Sequence, residues 1–419
     1  MKLSGNILVL TQWSFKDALV QTYTLPYVDI IRETIPADKK IIVITAEQEK
    51  KALSVEELNE INRQWKKRNM ELIVQPYKRY GWRKIVKGIG QIISLYRLIK
   101  KNRIAVIHPF CTPAGSIGYL LSMLSGAALV IDSYEPHATA MVETGAWKKN
   151  STSFKILFLL EKKLTKKAAY LIATTAGMKQ YALDNYGIEL KNIFVKPACI
   201  SFKHFYPRPK NETLMKELGL DNKIVCVYAG KLGGTYLKDE VFDFVKACYE
   251  YWGEDFRFLM LTEESDDAIQ NQAKRVNISP NVIVKKYVEH KDIPSYLSLG
   301  DFGINPQVPV PSKRFGSPIK NGEYWAMGLP VVISPGISDD SDIIFQHKIG
   351  VVINLQQIEN MTPAVRQMDT LLKTSDRKIL QEKIFGIAKQ YRSFDIPWRI
   401  YPLIYEKDIK NISLNNSIK

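Results

Sequence analysis

The chain has 419 residues, 46% hydrophobic and 24% charged, and a formal net charge of +16. That length is long for one hydrophobic core, so two α/β domains are expected, and the composition is ordinary for a globular protein. No apolar run is long enough to span a bilayer, the amino terminus lacks the apolar core of a secretion signal, and Cys111, Cys199, Cys226 and Cys248 show neither metal-ligand nor redox spacing. These features point to a cytoplasmic protein with buried, reduced thiols. The positive charge calls for an anionic partner: nucleic acid, an anionic membrane surface or a phosphorylated substrate. No nucleic-acid-binding motif accompanies the charge, so nucleic acid is not expected.

Strand-then-helix units repeat along the chain, the pattern of doubly wound parallel sheets. Ile7-Leu8-Val9-Leu10 opens it as a buried strand within 6–11, and further strands are predicted at 40–45, 71–75, 104–108, 127–132 and 169–174. Helices are predicted around 48–69 and 84–101. The loop from Thr11 to Asp17 holds no glycine, and its polar and aromatic groups suit either stacking on a sugar or packing at a domain interface. Residues 77–88, YKRYGWRKIVKG, interleave cations with Tyr77, Tyr80 and Trp82, and a helical apolar pattern continues to Ile99. Two readings stand for 77–101. One is a helix resting on anionic lipid headgroups. The other, commoner in α/β domains, is an apolar stripe packed on the sheet with a solvated basic rim.

His137, in VIDSYEPHATAMVETGAW (130–147), lies just past the strand ending at Asp132, where α/β proteins bind ligands. A lone histidine is more often structural than catalytic. His108 is a second candidate, read otherwise as a strand-end histidine bonded to backbone. At 196–209, KPACISFKHFYPRP, periodicity gives way to a linker. The second half restarts with KIVCVYAG (223–230), and strands follow near 256–262, 281–285, 301–305, 330–334 and 350–354. After its first strand comes a glycine-rich turn from Gly230 to Gly234, with Lys231 and Lys238. Glycine lets backbone approach a pyrophosphate and a lysine ammonium neutralises it.

The acidic run Asp339-Asp340-Ser341-Asp342 lacks the glycine and terminal glutamate of a calcium loop. It reads as a surface connection, and no metal site is expected. The most informative stretch is SPIKNGEYWAMGLPVVIS (317–334). Ser317 and Pro318 read as the cap and first turn of a helix, Lys320 and Glu323 share one face of it, and Gly328 ends it before a strand at Val331-Val332-Ile333. A carboxylate there, beside a parallel sheet, suits ribose hydroxyls, while free backbone N–H groups suit phosphate. The alternative is an ordinary connection carrying a surface salt bridge.

That segment resembles the donor-binding motif S-P-x-K-x-x-E-Y-x-A-x-G-x-P-V-V of nucleotide-sugar glycosyltransferases with two Rossmann-like domains (GT-B), particularly retaining family 4. Ser317, Pro318, Lys320, Glu323, Tyr324, Ala326, Gly328, Pro330, Val331 and Val332 carry the match. The linker is similar to that family's P-x-G-x-D-x-x-x-F-x-P stretch, with Cys199 and Ser201 in place of the glycine and aspartate. Two departures stand out. Phe315 occupies the position where members carry a first glutamate, and the glycine pair common after the first strand is missing.

The resemblance implies an α/β, GT-B architecture of two doubly wound domains facing each other across a cleft. Residues 1–200 would bind the acceptor and 210–392 the nucleotide sugar, and 393–419 would form a carboxy-terminal helix crossing back, then a tail. Gly230, Lys231, Lys238, Ser317, Pro318, Lys320 and Glu323 would bind the donor, with Lys231 and Lys238 on its diphosphate and Glu323 on its ribose. His137 would contact the transferred sugar, so that His137, Lys231 and Glu323 form the catalytic set. The implied reaction moves a sugar from a nucleoside-diphosphate sugar to a saccharide or lipid-linked acceptor in cell-surface polysaccharide synthesis. It would proceed with retention and without a metal or other cofactor. Two alternatives remain: a non-catalytic protein on the same scaffold, or a nucleotide-sugar epimerase, which would need paired carboxylates facing the sugar. Localisation would be cytoplasmic, peripheral at the inner membrane face if 77–101 meets lipid.

Overall fold

The computed structural model describes residues 3–77 and 85–405. The chain gathers into two compact units: Met1–Thr139 with Trp147–Lys196 and Asp395–Lys419, and Ala140–Ala146 with Pro197–Phe394. In the first unit the strands are β1 (Asn6–Leu10), β2 (Ile41–Glu47), β3 (Met70–Pro76), β4 (Ile104–Pro109), β5 (Ala128–Tyr134), β6 (Tyr170–Ala173) and β7 (Ile193–Val195). Their order is β3-β2-β1-β4-β5-β6-β7, parallel at every pairing, with Ile7 beside Ile41 on one side and Val106 on the other. Ile7, Leu8, Val9, Ile41, Ile42 and Val43 are fully buried. A strand covered on both faces carries continuous aliphatic runs, which is how these strands read in the sequence.

Several expectations are adjusted here. β7 was not anticipated; it is a three-residue edge strand held by pairing Leu171 with Ile193, too short to show a period. The helix expected over 48–69 is a short turn, Glu49–Lys51, and then a helix, Val55–Lys66. A capping box starts that helix: the Glu57 amide donates to Ser54 Oγ at 3.1 Å, and the Ser54 amide donates to Glu57 Oε2 at 2.8 Å. Of 77–101, residues 78–84 lie outside the described residues, and Ile85–Lys101 is helical. His137 begins a helix, His137–Glu143. The helix Asp395–Tyr405 belongs to the first unit and packs on the helix Leu25–Thr34; residues 406–419 lie outside the described residues.

The second unit contains β8 (Ile224–Ala229), β9 (Phe256–Leu261), β10 (Ile283–Lys286), β11 (Phe302–Asn305), β12 (Val331–Ile333) and β13 (Gly350–Val352). Their order is β10-β9-β8-β11-β12-β13, again parallel. Alternate residues of β8 feed two cores. Val225, Val227 and Ala229 pack with Tyr324, Trp325 and Ile384, while Cys226 and Tyr228 pack with Phe242, Val245 and Cys248. Strand order reverses between β1 and β4 in the first unit and between β8 and β11 in the second. Ligands of doubly wound sheets bind outside the carboxyl ends of the strands at that reversal.

The acidic run at 339–342 is not the surface connection its composition suggests. Asp340 starts the helix Asp340–His347, is 2% exposed, and pairs with the equally buried Arg392. Asn321 Nδ2 donates to its other oxygen at 2.6 Å, and Asn305 Nδ2 donates to Asn321 Oδ1 at 2.9 Å. A chain of polar groups thus runs from the end of β11 to the helix Arg377–Arg392.

Candidate active site

The reversal in the second unit is built from two loops. Gly230 follows β8 directly and has φ +143°, a conformation that a side chain strains. Lys320, in the first turn of the helix Ile319–Ala326, lies across it: a Cβ at Gly230 would sit 2.6 Å from Lys320 Cε and 2.7 Å from Nζ. Backbone hydrogen bonds tie the glycine-rich loop to the loop after β11, Leu237 N to Pro306 O at 2.7 Å and Val308 N to Thr235 O at 3.1 Å. Tyr228 Oη donates to Lys231 O at 2.6 Å, and the Ala229 amide donates to Tyr324 Oη at 3.1 Å. Together these bonds hold the turn in one shape.

Lys320 Nζ is 3.0 Å from Tyr236 Oη and 4.2 Å from that ring's centroid. Burial raises the Tyr236 hydroxyl, but the Lys320 ammonium acts against it and leaves it below its usual range. Lys231 and Lys238 are exposed on the same loop, Lys238 directly before the helix Asp239–Trp252. Two helices therefore begin at this reversal, and the first amides of a helix have no acceptor within it. With three lysines around them, these groups make a concentrated positive field suited to a diphosphate.

Lys320 and Glu323 do not form the surface salt bridge weighed above. Glu323 is 7% exposed, and its Oε1 lies 3.1 Å from His290 Nε2. Hydrogen bonding to Glu323 holds the His290 imidazole above its ordinary value, against the opposing effect of burial. The His290 ring stacks on His204 at 6.1 Å and meets Phe205 at 5.7 Å. Ser317 is not the helix cap. Pro318 holds that position without a capping side chain, because Ser317 Oγ accepts from the Ala198 amide at 3.0 Å and pairs with Arg392. Its hydroxyl fastens the 197–200 segment to the helix instead of facing solvent. Phe315, half-buried, closes the turn Pro311–Phe315.

Gly230, Lys231, Lys238, Ser317, Pro318, Lys320 and Glu323 therefore all lie in the second unit, and His137 lies in the first. His137 Nδ1 is 3.9 Å from Glu135 Oε1, and both side chains are about one-third exposed. Next to it, the Ala138 amide donates to the fully buried Glu161 at 2.8 Å, and Tyr186 Oη donates to the same carboxyl group at 3.0 Å. Burial pushes the Glu161 carboxyl up to about 7. His108 is bonded to side chains, not to backbone: Tyr405 Oη, and Asp132 Oδ2 at 3.4 Å.

Asp132 is fully buried with Lys196 Nζ at 3.1 Å, and Lys196 in turn sits 3.2 Å from the Tyr27 ring centroid. Burial would raise the Asp132 carboxyl, but Lys196, His108 and Tyr401 outweigh it and bring it down to about 2. This cluster anchors the helix Asp395–Tyr405 through Tyr401 Oη, which donates to Asp132 Oδ2 at 2.8 Å.

Sequence reasoning missed His290, Tyr236 and Arg392. The first two meet their partners over 33 and 84 residues of chain, and no local pattern marks such pairs. Among the described residues, no group of three His, Cys, Asp or Glu side chains is placed to hold a metal ion, and no helix is long and apolar enough to cross a membrane.

Residues 223–370 match the family described as glycosyl transferases group 1. Over 302 residues the chain is 23% identical to the UDP-Gal:alpha-D-GlcNAc-diphosphoundecaprenol alpha-1,3-galactosyltransferase of Escherichia coli, covering 71% of this chain and 73% of that protein. Among solved structures, Anabaena Alr3699/HepE in complex with UDP superposes with a TM-score of 0.70 at 13% identity, over 95% of this chain and 99% of that one. WaaG, a glycosyltransferase involved in lipopolysaccharide biosynthesis, gives 0.69 at 13% identity, over 96% and 100%. The glycine turn and the 317–334 segment both fall inside the matched residues, and both units carry the fold of those solved proteins. Residues 223–370 thus carry a glycosyl transferases group 1 domain, and the chain has the GT-B fold of those solved structures.

Proposed function

We propose that the protein transfers a hexose from a UDP-sugar to a lipid-linked saccharide in cell-surface polysaccharide synthesis. The observation that carries this reading is Lys320 laid across Gly230 at the strand reversal, where two helix starts and Lys231 and Lys238 supply positive charge to a diphosphate. As the glycosidic bond to the leaving diphosphate breaks, negative charge grows on its bridging oxygen. In this reading the lysine ammonium groups and the helix-start amides stabilise that charge. Glu323, held by His290, accepts from the ribose hydroxyls, and the 317–320 turn offers backbone donors to the sugar or phosphate. His137, just past the carboxyl end of β5, meets the transferred sugar. Lysines and helix starts meet the donor's charge, and retention follows from attack on the face the diphosphate leaves. The choice of UDP rests on the donor in the name of the Escherichia coli relative and on the UDP bound to HepE; the lipid-linked acceptor rests on that relative's name.

The test is a thermal-shift and hydrolysis screen against UDP-, GDP-, dTDP- and ADP-sugars, with Glu323→Ala and Lys231→Ala alongside. Stabilisation by UDP-sugars, lost in both variants and accompanied by slow UDP release, is the expected result. Stabilisation by another nucleotide class would overturn the donor assignment. Indifference to all four would favour the non-catalytic scaffold.

A further inference from the structure

A glutamate's last torsion is broad and nearly two-fold, so burial alone does not fix the plane of its two carboxylate oxygens. Glu323, 7% exposed, has one side-chain partner among the described residues: His290 Nε2, 3.1 Å from Oε1. That single bond sets the carboxylate plane. It is charge-assisted when the imidazole is protonated, and the same bond raises the imidazole above its ordinary value. Among the described residues nothing bonds Oε2. The His290 side chain stays 39% exposed, so the pair lies open to a ligand and is not sealed in the core.

His290 is in turn held from behind. Its ring stacks on His204 with the planes 27° apart, and meets Phe205 on the same turn. Phe205 is 3% exposed in the core, and its amide and that of His204 both donate to Ser201 O, at 2.9 and 3.0 Å. Just upstream, Ile200 seats the helix that carries Glu323: a Cβ at Gly322 would stand 2.6 Å from Ile200 Cγ1. Residues 200–205, a linker by their sequence, therefore brace both halves of the pair, the helix backbone at one end and the imidazole ring at the other.

We propose that His290 is the positioning residue of Glu323 and that, through it, the second unit tells a ribonucleotide donor from its 2′-deoxy analogue. With Glu323 taken as the ribose contact proposed above, the neighbouring 2′- and 3′-hydroxyls need two acceptor oxygens presented in one plane. A carboxylate held by His290 presents both; one free to turn meets a single hydroxyl at a time. Loss of the 2′-hydroxyl then leaves a buried carboxylate oxygen unpaired, the mismatch that a hydrogen-bonding site rejects most strongly. In this role His290 bonds the carboxylate, not the sugar, and acts on selectivity by orientation.

Calorimetric titration of the full-length protein with UDP and with 2′-deoxy-UDP tests it, in wild type, Glu323→Ala, His290→Ala and His290→Gln. Both ligands are measured on the same protein, so a loss of folded fraction cancels in the ratio of their Kd values. Wild type is expected to prefer UDP by about 10–150-fold, the worth of one hydrogen bond to a charged group. The preference should fall below about threefold in Glu323→Ala and in His290→Ala, and return in His290→Gln, whose amide donates to Oε1 without titrating. A wild-type ratio in His290→Ala beside a lost one in Glu323→Ala, or failure of glutamine to restore it, would overturn the positioning role and leave the ribose contact standing. An unchanged ratio in Glu323→Ala, no preference in wild type, or no UDP binding at all would remove the ribose contact and the positioning role with it.

Discussion

Gly230→Ala probes the donor loop at its tightest point. Its Cβ would stand 2.6 Å from Lys320 Cε and 2.7 Å from Nζ, where carbon atoms prefer about 3.5–4.0 Å, so the lysine tip must retreat by roughly 1 Å. The tip is flexible, so most of the folding cost lies in holding φ near +143° with a side chain, about 1–3 kcal/mol. For a domain of this size each kcal/mol lowers Tm by about 2–4 °C. Binding should suffer separately. If Lys320 bonds the diphosphate as proposed, losing that charged hydrogen bond costs about 1.5–3 kcal/mol, or roughly 10–150-fold in Kd. Calorimetric titration with UDP on wild type, Gly230→Ala, Lys320→Ala and the double variant separates the two effects. Since alanine at 230 acts through Lys320, the double variant should bind no worse than Lys320→Ala alone. Wild-type affinity in Gly230→Ala, or additive losses in the double variant, would refute the reasoning.

Arg392→Met leaves Asp340 buried without its charged partner and removes the hydrogen bonds from the guanidinium to Ser317 Oγ and Ala198 O. Urea unfolding should show a loss of about 3–5 kcal/mol, and a change under 1 kcal/mol would mean that the pair is replaced by water. Glu161 gives a pH signature. Its carboxyl ionises near 7 in the folded protein against about 4.5 in the unfolded chain, so the stability it contributes is complete below about 4.5 and is lost as pH rises through 7, a change of about 3 kcal/mol. Glu161→Gln should flatten the dependence of the urea midpoint between pH 5 and 8, whereas parallel curves for the two proteins would place the titrating group elsewhere.

Sequence alone determined the strand-helix alternation, because strands buried on both faces must be continuous aliphatic runs such as Ile41–Ile44 and Val331–Ile333. It also marked Gly230, Lys320 and Glu323 as donor-site candidates, since a tight turn, a cation and a carboxylate on one helix are properties of adjacent residues. What the side chains touch was decided only in three dimensions. Ser317 reads as a helix cap until Arg392, 75 residues away, occupies its hydroxyl, and the 339–342 acids read as surface until the same arginine pairs with Asp340 inside the core. His290, too, becomes Glu323's partner only when the chain brings the loop after β10 to the helix after β11. Local pattern reports backbone preference and burial, which are set within a few residues. Long-range pairs are set by which strand ends the sheet order brings together, and that order is a property of the folded chain.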